Sequence, residues 1–133
     1  MKFAVFLVED EPVIQESLKV VIEGFLRAEV IGAARSEAEA VAWLQANEGG
    51  WHLLVVDLFL TQGSGLGVLS ALAQCARRGA VVALTNAASP GNRTACLRLG
   101  ADAVFDKAAE INEFLSYCET AAKRHPGQAR SLP

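Results

Sequence analysis

The chain has 133 residues, a net charge of −3 and an apolar share of 52%, enough for one hydrophobic core and too little for an added substrate domain. That composition excludes a disordered chain, and the scatter of its 12 basic residues argues against a nucleic-acid interface, which clusters Lys and Arg on one face. Cys75, Cys96 and Cys118 are too far apart for a metal or disulfide framework; as small buried hydrophobes on helices they fit a reducing cytoplasm.

Phe3 to Val8 is an apolar run of strand length. It is too short to span a membrane, and Glu9-Asp10-Glu11-Pro12 follows where a signal peptide would need a cleavage site. No other stretch approaches membrane length. Pro12 suits a first helical position, where its missing N–H is not needed, and Ile14, Leu18, Val21 and Phe25 form the apolar stripe of a first helix. Ala28 to Ala33 is a weaker second strand. Ser36 with Glu39 makes a capping box for a second helix whose buried side is Val41, Ala42, Leu44 and Trp43. Gly49-Gly50 closes that unit, and the run from His52 to Asp57 is the clearest strand in the chain.

A loop with Gly63, Gly65 and Gly67 leads into a third helix with Leu66, Leu69, Leu72 and Ala73 inward, stopped by Gly79. Ala80 to Leu84 is a fourth strand ending at Thr85-Asn86. Ser89-Pro90 opens a fourth helix and Gly100 ends it. Ala103-Val104-Phe105 is a short fifth strand ending near Lys107, and Ile111, Phe114, Leu115 and Cys118 mark a last helix. Arg77–Arg78 and Lys123–Arg124 fall at expected helix ends, where they complement the helix dipole. The segment 125–133 contains Pro, Gly and Ser without periodicity and is expected to be a flexible C-terminal tail. Residues 1–124 are then a single domain.

Five strands alternating with five helices imply an α/β fold, a parallel sheet with right-handed crossovers and helices on both faces. Ligands bind such sheets outside the carboxyl ends of the strands. The residues there are Glu9, Asp10 and Glu11 after the first strand, Asp57 after the third, Thr85 after the fourth and Lys107 after the fifth. Carboxylates in close contact repel, and a hard divalent cation such as Mg²⁺ relieves that repulsion. Lys107 adds a positive charge and Thr85 a hydroxyl. Together they would neutralise a transferring phosphoryl group, with Asp57 as the nucleophile.

Each of these residues also has a plainer reading. Asp57 could cap a helix, Lys107 could be a surface lysine, Thr85 could merely end a strand, and Glu11 reads as a first-turn helix charge. Gly63, Gly65 and Gly67 lack the Lys-Ser or Lys-Thr partner of a nucleotide loop and read as turn residues. His52 and His125 are isolated and read as surface histidines; Trp43 and Trp51 read as packing residues. Convergence of the acids and Lys107 at one rim is what favours the chemical reading.

The constellation resembles the receiver domain of bacterial response regulators, over nearly all of residues 1–124. The acidic pair after the first strand is Glu9-Asp10 within Val8-Glu9-Asp10-Glu11-Pro12, the phosphoacceptor position is Asp57 within Val55-Val56-Asp57-Leu58, and the Gly-rich segment is Gly63-Ser64-Gly65. The family's Thr or Ser falls on Thr85 and its Lys on Lys107. The resemblance implies a flavodoxin-like, doubly wound (βα)5 fold with strand order 2-1-3-4-5. It also implies a metal held by Asp10, Asp57 and the Phe59 backbone carbonyl, with Glu9 acting through water; no residue decides between Mg²⁺ and Mn²⁺. A sensor histidine kinase or phosphotransfer protein would supply the phosphoryl group, and Asp57, Thr85 and Lys107 would carry self-catalysed phosphorylation and dephosphorylation without making the protein an enzyme. Phosphorylation would change binding to a downstream protein target and is compatible with a homodimer. Neither nucleic acid nor a membrane would be bound by this domain.

Three positions depart from the family pattern. Val104 stands where an aromatic usually switches, with Phe105 expected on the other face; Ala108 replaces a Pro after the Lys; Asn86 follows Thr85 in place of a small residue. Phe59, two residues past Asp57, is expected to shield an acyl phosphate from water. The alternatives are a pseudo-receiver that binds partners without phosphorylation, and a flavin protein or phosphatase of similar layering. The phosphatase fails because its second Asp would fall on Pro12, and the flavin protein because acids stand where its phosphate loop would be. A complete chain would act as a stand-alone receiver; an excised one could have preceded a DNA-binding output unit.

Overall fold

Runs that are apolar at every position can form stable strands only where both faces of the sheet are covered. The computed structural model describes residues 2–76 and 79–124; the Arg77–Arg78 pair and the tail 125–133, with His125, lie outside the described residues. The strands are β1 (Phe3–Val8), β2 (Ala28–Ala34), β3 (Leu53–Val56), β4 (Ala80–Thr85) and β5 (Ala103–Asp106). They alternate with α1 (Pro12–Phe25), α2 (Glu37–Ala46), α3 (Gly65–Leu72), α4 (Pro90–Arg98) and α5 (Ile111–Arg124). All pairings are parallel and the order is β2-β1-β3-β4-β5, as expected. No helix among the described residues is long and apolar enough to cross a membrane.

Successive strand residues go to opposite faces, so each strand feeds two cores. Phe6, Val8, Leu54, Val56, Val81, Ala83 and Val104 pack with residues of α2, α3 and α4. Val5, Leu7, Leu53, Val55, Val82 and Leu84 pack with residues of α1 and α5. Val104 and Phe105 separate as expected: Phe105 joins the second core, edge-on to Phe114 with ring centroids 6.2 Å apart and beside Tyr117 at 5.9 Å.

Helix faces were less legible than strand positions. In α1 the fully buried residues are Leu18 and Ile22, continued by Leu26, while Val21 and Phe25 face solvent. Apolar residues occupy two flanks of this helix, so spacing alone admitted a second stripe; the sheet selected the i, i+4 row. In α2 the buried pair is Ala40 and Leu44, Ala42 is exposed and Val41 half-buried. Trp43 stacks on Phe6 with centroids 3.9 Å apart and planes 6° from parallel. Gly32 makes room for it, since a Cβ there would lie 2.6 Å from the indole nitrogen.

The third helix ends at Leu72, before Gly79, which leaves Ala73 exposed and Cys75 half-buried beyond it. Cys96 and Cys118 are buried as expected, and burial pushes the Cys118 thiol up to about 12. Trp51 is buried in the first core. His52 is not a surface residue: half-buried, it accepts the Ala4 N–H on Nδ1 at 2.8 Å and stacks on Phe3.

Ser36, Ser64 and Ser89 cap α2, α3 and α4, each accepting from the third residue on. Arg93 of α4 ties the last third of the chain together. Its Nε donates to the Ala88 carbonyl at 2.9 Å, Nη1 to the Val104 carbonyl at 3.0 Å and Nη2 to Glu110 at 2.5 Å. The ion pair is partly exposed, so screening limits its share, and the backbone bonds contribute much of the effect. Arg93→Ala is expected to lower unfolding free energy by about 1–2 kcal/mol in urea titration, and Arg93→Lys to recover little because an ammonium cannot reproduce the fork. A change within ~0.5 kcal/mol, the scale of an ordinary surface substitution, would show the clasp to be inert.

Candidate functional site

Parallel pairing brings the four strand ends β1, β3, β4 and β5 to one rim. The Glu9 N–H bonds the Ala34 carbonyl at 3.0 Å, the Asp57 N–H bonds Val8 at 3.0 Å and the Lys107 N–H bonds Thr85 at 3.0 Å. Each site residue is thus held by a backbone bond to the neighbouring strand, and its side chain leaves the sheet at a fixed place. Among the described residues, the buried polar or charged ones are Glu9, Asp57 and Thr85. All three stand at this rim, and burial of charge at one spot requires compensation.

Lys107 supplies part of it. Its ammonium donates to Asp57 Oδ2 at 2.8 Å and to Glu9 Oε1. Glu9 also accepts the Glu11 N–H at 3.2 Å, and Asp57 Oδ1 accepts the Phe59 N–H at 3.2 Å. Burial works against the Lys107 ammonium, but the hydrogen bonds and charges of Asp57 and Glu9 outweigh it, and its pKa is raised. Glu9 does not gain in the same measure. Burial pushes its pKa up, and the bond from Lys107 restores only part of that while Asp57 repels it. One ammonium is shared between two buried acids, so the lysine is doubly stabilised and Glu9 is left under-compensated.

Asp10 completes the group. One oxygen each from Glu9, Asp10 and Asp57 lie within 4.8 Å of one another. Three carboxylates against one ammonium leave a charge of −2 (1 − 3) if all are ionised, in a set of hard oxygen donors at a partly buried rim. That set fits a divalent cation of the Mg²⁺ or Ca²⁺ type. Asp10 is more exposed, and its carboxyl is held below the usual range chiefly by the Thr61 hydroxyl.

Glu9, Asp10, Asp57 and Lys107 therefore come together as expected. Thr85 reaches the same rim buried, with its hydroxyl accepting the Ala87 N–H at 3.2 Å. Phe59 touches Asp57 through its amide, and the residue is 61% exposed. Glu11 occupies the N-cap position of α1, with Pro12 as the first helical residue. Asn86 is exposed. At Ala108 the chain turns on Asp106, whose Oδ1 accepts the N–H groups of Ala108 and Ala109 at 2.8 and 2.9 Å.

Three neighbours were not picked out from sequence. Gln15 donates to the Glu9 carbonyl at 3.0 Å, Arg35 Nε to the Asp10 carbonyl at 3.1 Å, and Thr61 binds the Asp10 carboxylate. None carries a motif. Gly65, the first residue of α3, also permits a close approach: a Cβ there would run into the Asp57 carbonyl oxygen.

This rim, fold and strand order define a receiver-type module. The chain belongs to the response regulator receiver domain family, whose model matches residues 5–119. Comparison with curated proteins gives no significant match. Among solved structures, the chain resembles a two-component response regulator of the LuxR family from Aurantimonas sp. SI85-9A1, with 20% identity, 99% of this chain and 96% of that one covered, and a TM-score of 0.82. It also resembles a response regulator from Burkholderia pseudomallei with a phosphorylated aspartic acid, a calcium ion and citrate (24% identity, 100% and 76% covered, TM-score 0.75). A third is the CheX–CheY–BeF3–Mg²⁺ complex from Borrelia burgdorferi (18% identity, 87% and 89% covered, TM-score 0.75).

The raised pKa of Glu9 has a definite sign in stability. A group whose folded pKa lies above its ordinary value, here 4.5, contributes stability fully below that value and loses it as pH rises through the folded pKa. In EDTA, the wild-type protein is therefore expected to lose stability relative to Glu9→Gln as pH rises from about 4. Urea midpoints at a series of pH values check this, and a difference that does not vary with pH would contradict it.

Proposed function

We propose that this domain accepts a phosphoryl group on Asp57 from a sensor histidine kinase or phosphotransfer protein, in a Mg²⁺-dependent reaction, and thereby switches its binding to a downstream protein. The observation that carries this is the buried Asp57 bonded to Lys107 at 2.8 Å beside the carboxylates of Glu9 and Asp10. Family membership supports it. So do two relatives of the same fold, one holding a phosphorylated aspartic acid with calcium and the other BeF3 with Mg²⁺.

Asp57 Oδ1 or Oδ2 attacks phosphorus in line, forming the O–P bond as the donor's bond to phosphorus breaks. Lys107, already on Oδ2, moves its charge toward the incoming phosphoryl oxygens, and the Thr85 hydroxyl leaves Ala87 to donate to one of them. The Phe59 N–H holds Asp57 Oδ1 in place. Mg²⁺ or Mn²⁺ held by Asp10, Asp57 and the Phe59 carbonyl, with Glu9 through water, would neutralise phosphoryl charge. Hydrolysis by water at the same site returns the free carboxylate, so the domain catalyses its own phosphorylation and dephosphorylation and turns over no other substrate. α1 presents an exposed apolar flank of Val13, Val20 and Val21, a surface on which such a donor would dock. A reducing cytoplasm accords with three free cysteines.

Incubation with acetyl phosphate and Mg²⁺ should add the mass of one phosphoryl group to the wild-type protein and none to Asp57→Asn. Mg²⁺ at about ten times its Kd should raise unfolding free energy by ~1.4 kcal/mol through mass action, an effect that Asp10→Asn should abolish. A wild-type protein that takes no label under these conditions would be a pseudo-receiver instead.

A further inference from the structure

Asp10 differs from the other two acids in what holds it. Glu9 and Asp57 are bonded to Lys107, whereas the Asp10 carboxylate is held chiefly by Thr61. The Thr61 N–H donates to Oδ2 at 2.7 Å and the Thr61 hydroxyl to the same oxygen at 2.5 Å. These are short, charge-assisted bonds, the stronger class of hydrogen bond. Both fall on one oxygen, so the carboxylate is fixed in orientation while its other oxygen takes no part in the grip.

Thr61 can do this because its loop is itself tied down. Phe59 and Ser64 form an antiparallel bridge across the loop, and the Gly65 N–H bonds the Leu58 carbonyl at 2.8 Å. The Gln62 carbonyl accepts the Glu37 N–H at 3.1 Å, and Glu37 Oε1 accepts the Ser64 N–H at 2.9 Å. The loop after β3 is thus docked on the start of α2. On the other side of Asp10, Arg35 Nε holds its backbone carbonyl at 3.1 Å. The backbone and the side chain of Asp10 are fixed from two separate elements.

We infer that Thr61 is a positioning residue for the cation site, holding the Asp10 carboxylate in the orientation in which it can serve as a ligand beside Asp57. This rests on the reading of Asp10 as a metal ligand. An exposed aspartate without such a partner samples several rotamers, and fixing one at the moment of binding weakens the ion's net affinity. Thr61 does that ordering in the folded protein beforehand, as outer-shell partners of metal ligands do.

The test is Mg²⁺ titration by calorimetry of the wild type, Thr61→Val and Thr61→Ser, with melting temperatures in EDTA alongside. Thr61→Val keeps the side-chain shape and the N–H but removes the hydroxyl. Its Mg²⁺ Kd is expected to rise about tenfold, the lower end for loss of an outer-shell partner, and Thr61→Ser to stay within about twofold of wild type. Unchanged or tighter binding by Thr61→Val overturns the inference, because Thr61 would then be neutral or a competitor for Asp10. Equal weakening in Thr61→Ser also overturns it, since the hydroxyl would be irrelevant. Should Thr61→Val melt early, the Ser variant compared with Thr61→Ala decides by the same criterion. Absence of Mg²⁺ binding in the wild type itself would overturn the metal-site reading, and this inference with it.

Discussion

The ammonium of Lys107 lies between two carboxylates that the fold buries, and most features of the rim follow from that arrangement. Burying Glu9 and Asp57 at the end of adjacent parallel strands places two like charges in a medium that solvates them poorly. A single lysine just past β5 meets both. It is sufficient to hold them but not to balance them once Asp10 is added. The pocket therefore remains electrostatically under-compensated, a condition that suits a divalent cation.

That condition explains why so much backbone is recruited nearby. Asp57 is steadied by the Phe59 N–H, Glu9 by the Glu11 N–H, Asp10 by the Thr61 N–H, and Lys107 by backbone pairing to Thr85. Backbone donors are fixed by secondary structure and need little reorganisation when charge changes. Gly65 belongs to the same solution, since its missing Cβ lets the start of α3 sit against the Asp57 carbonyl. On the far side, Arg93 links the β4–α4 loop, β5 and the turn before α5. The segments on either side of Thr85 and Lys107 are therefore joined through one side chain.

The three departures from the family pattern look different in place. Val104 is buried in the core under α4, and Phe105 is engaged with Phe114 and Tyr117 on the opposite face. An aromatic swing at the usual position has no side chain to perform it. The turn at Ala108 is organised by the Asp106 carboxylate, which does locally what a rigid residue would do. Asn86 is exposed and leaves the core undisturbed.

Strand identity and the four converging site residues were legible in the chain itself, whereas the sheet order came from the family resemblance. A run such as Leu53 to Val56, apolar at every position and closed by an acid, has only one stable environment, between two helical layers with its end at the rim. Glu9, Asp10, Asp57 and Lys107 follow such runs, so parallel topology alone brings them together. Which side of a helix is buried was not legible in this way. In α1, Val21 and Phe25 are as apolar as Ile22 and Leu26, and only the sheet's surface distinguishes them. The same holds for Thr61, Arg35 and Gln15, whose contacts join residues 51, 25 and 6 positions apart. Burial periodicity is a local property and can be read along a chain; a hydrogen bond between two loops depends on how the layers dock, and no spacing encodes it.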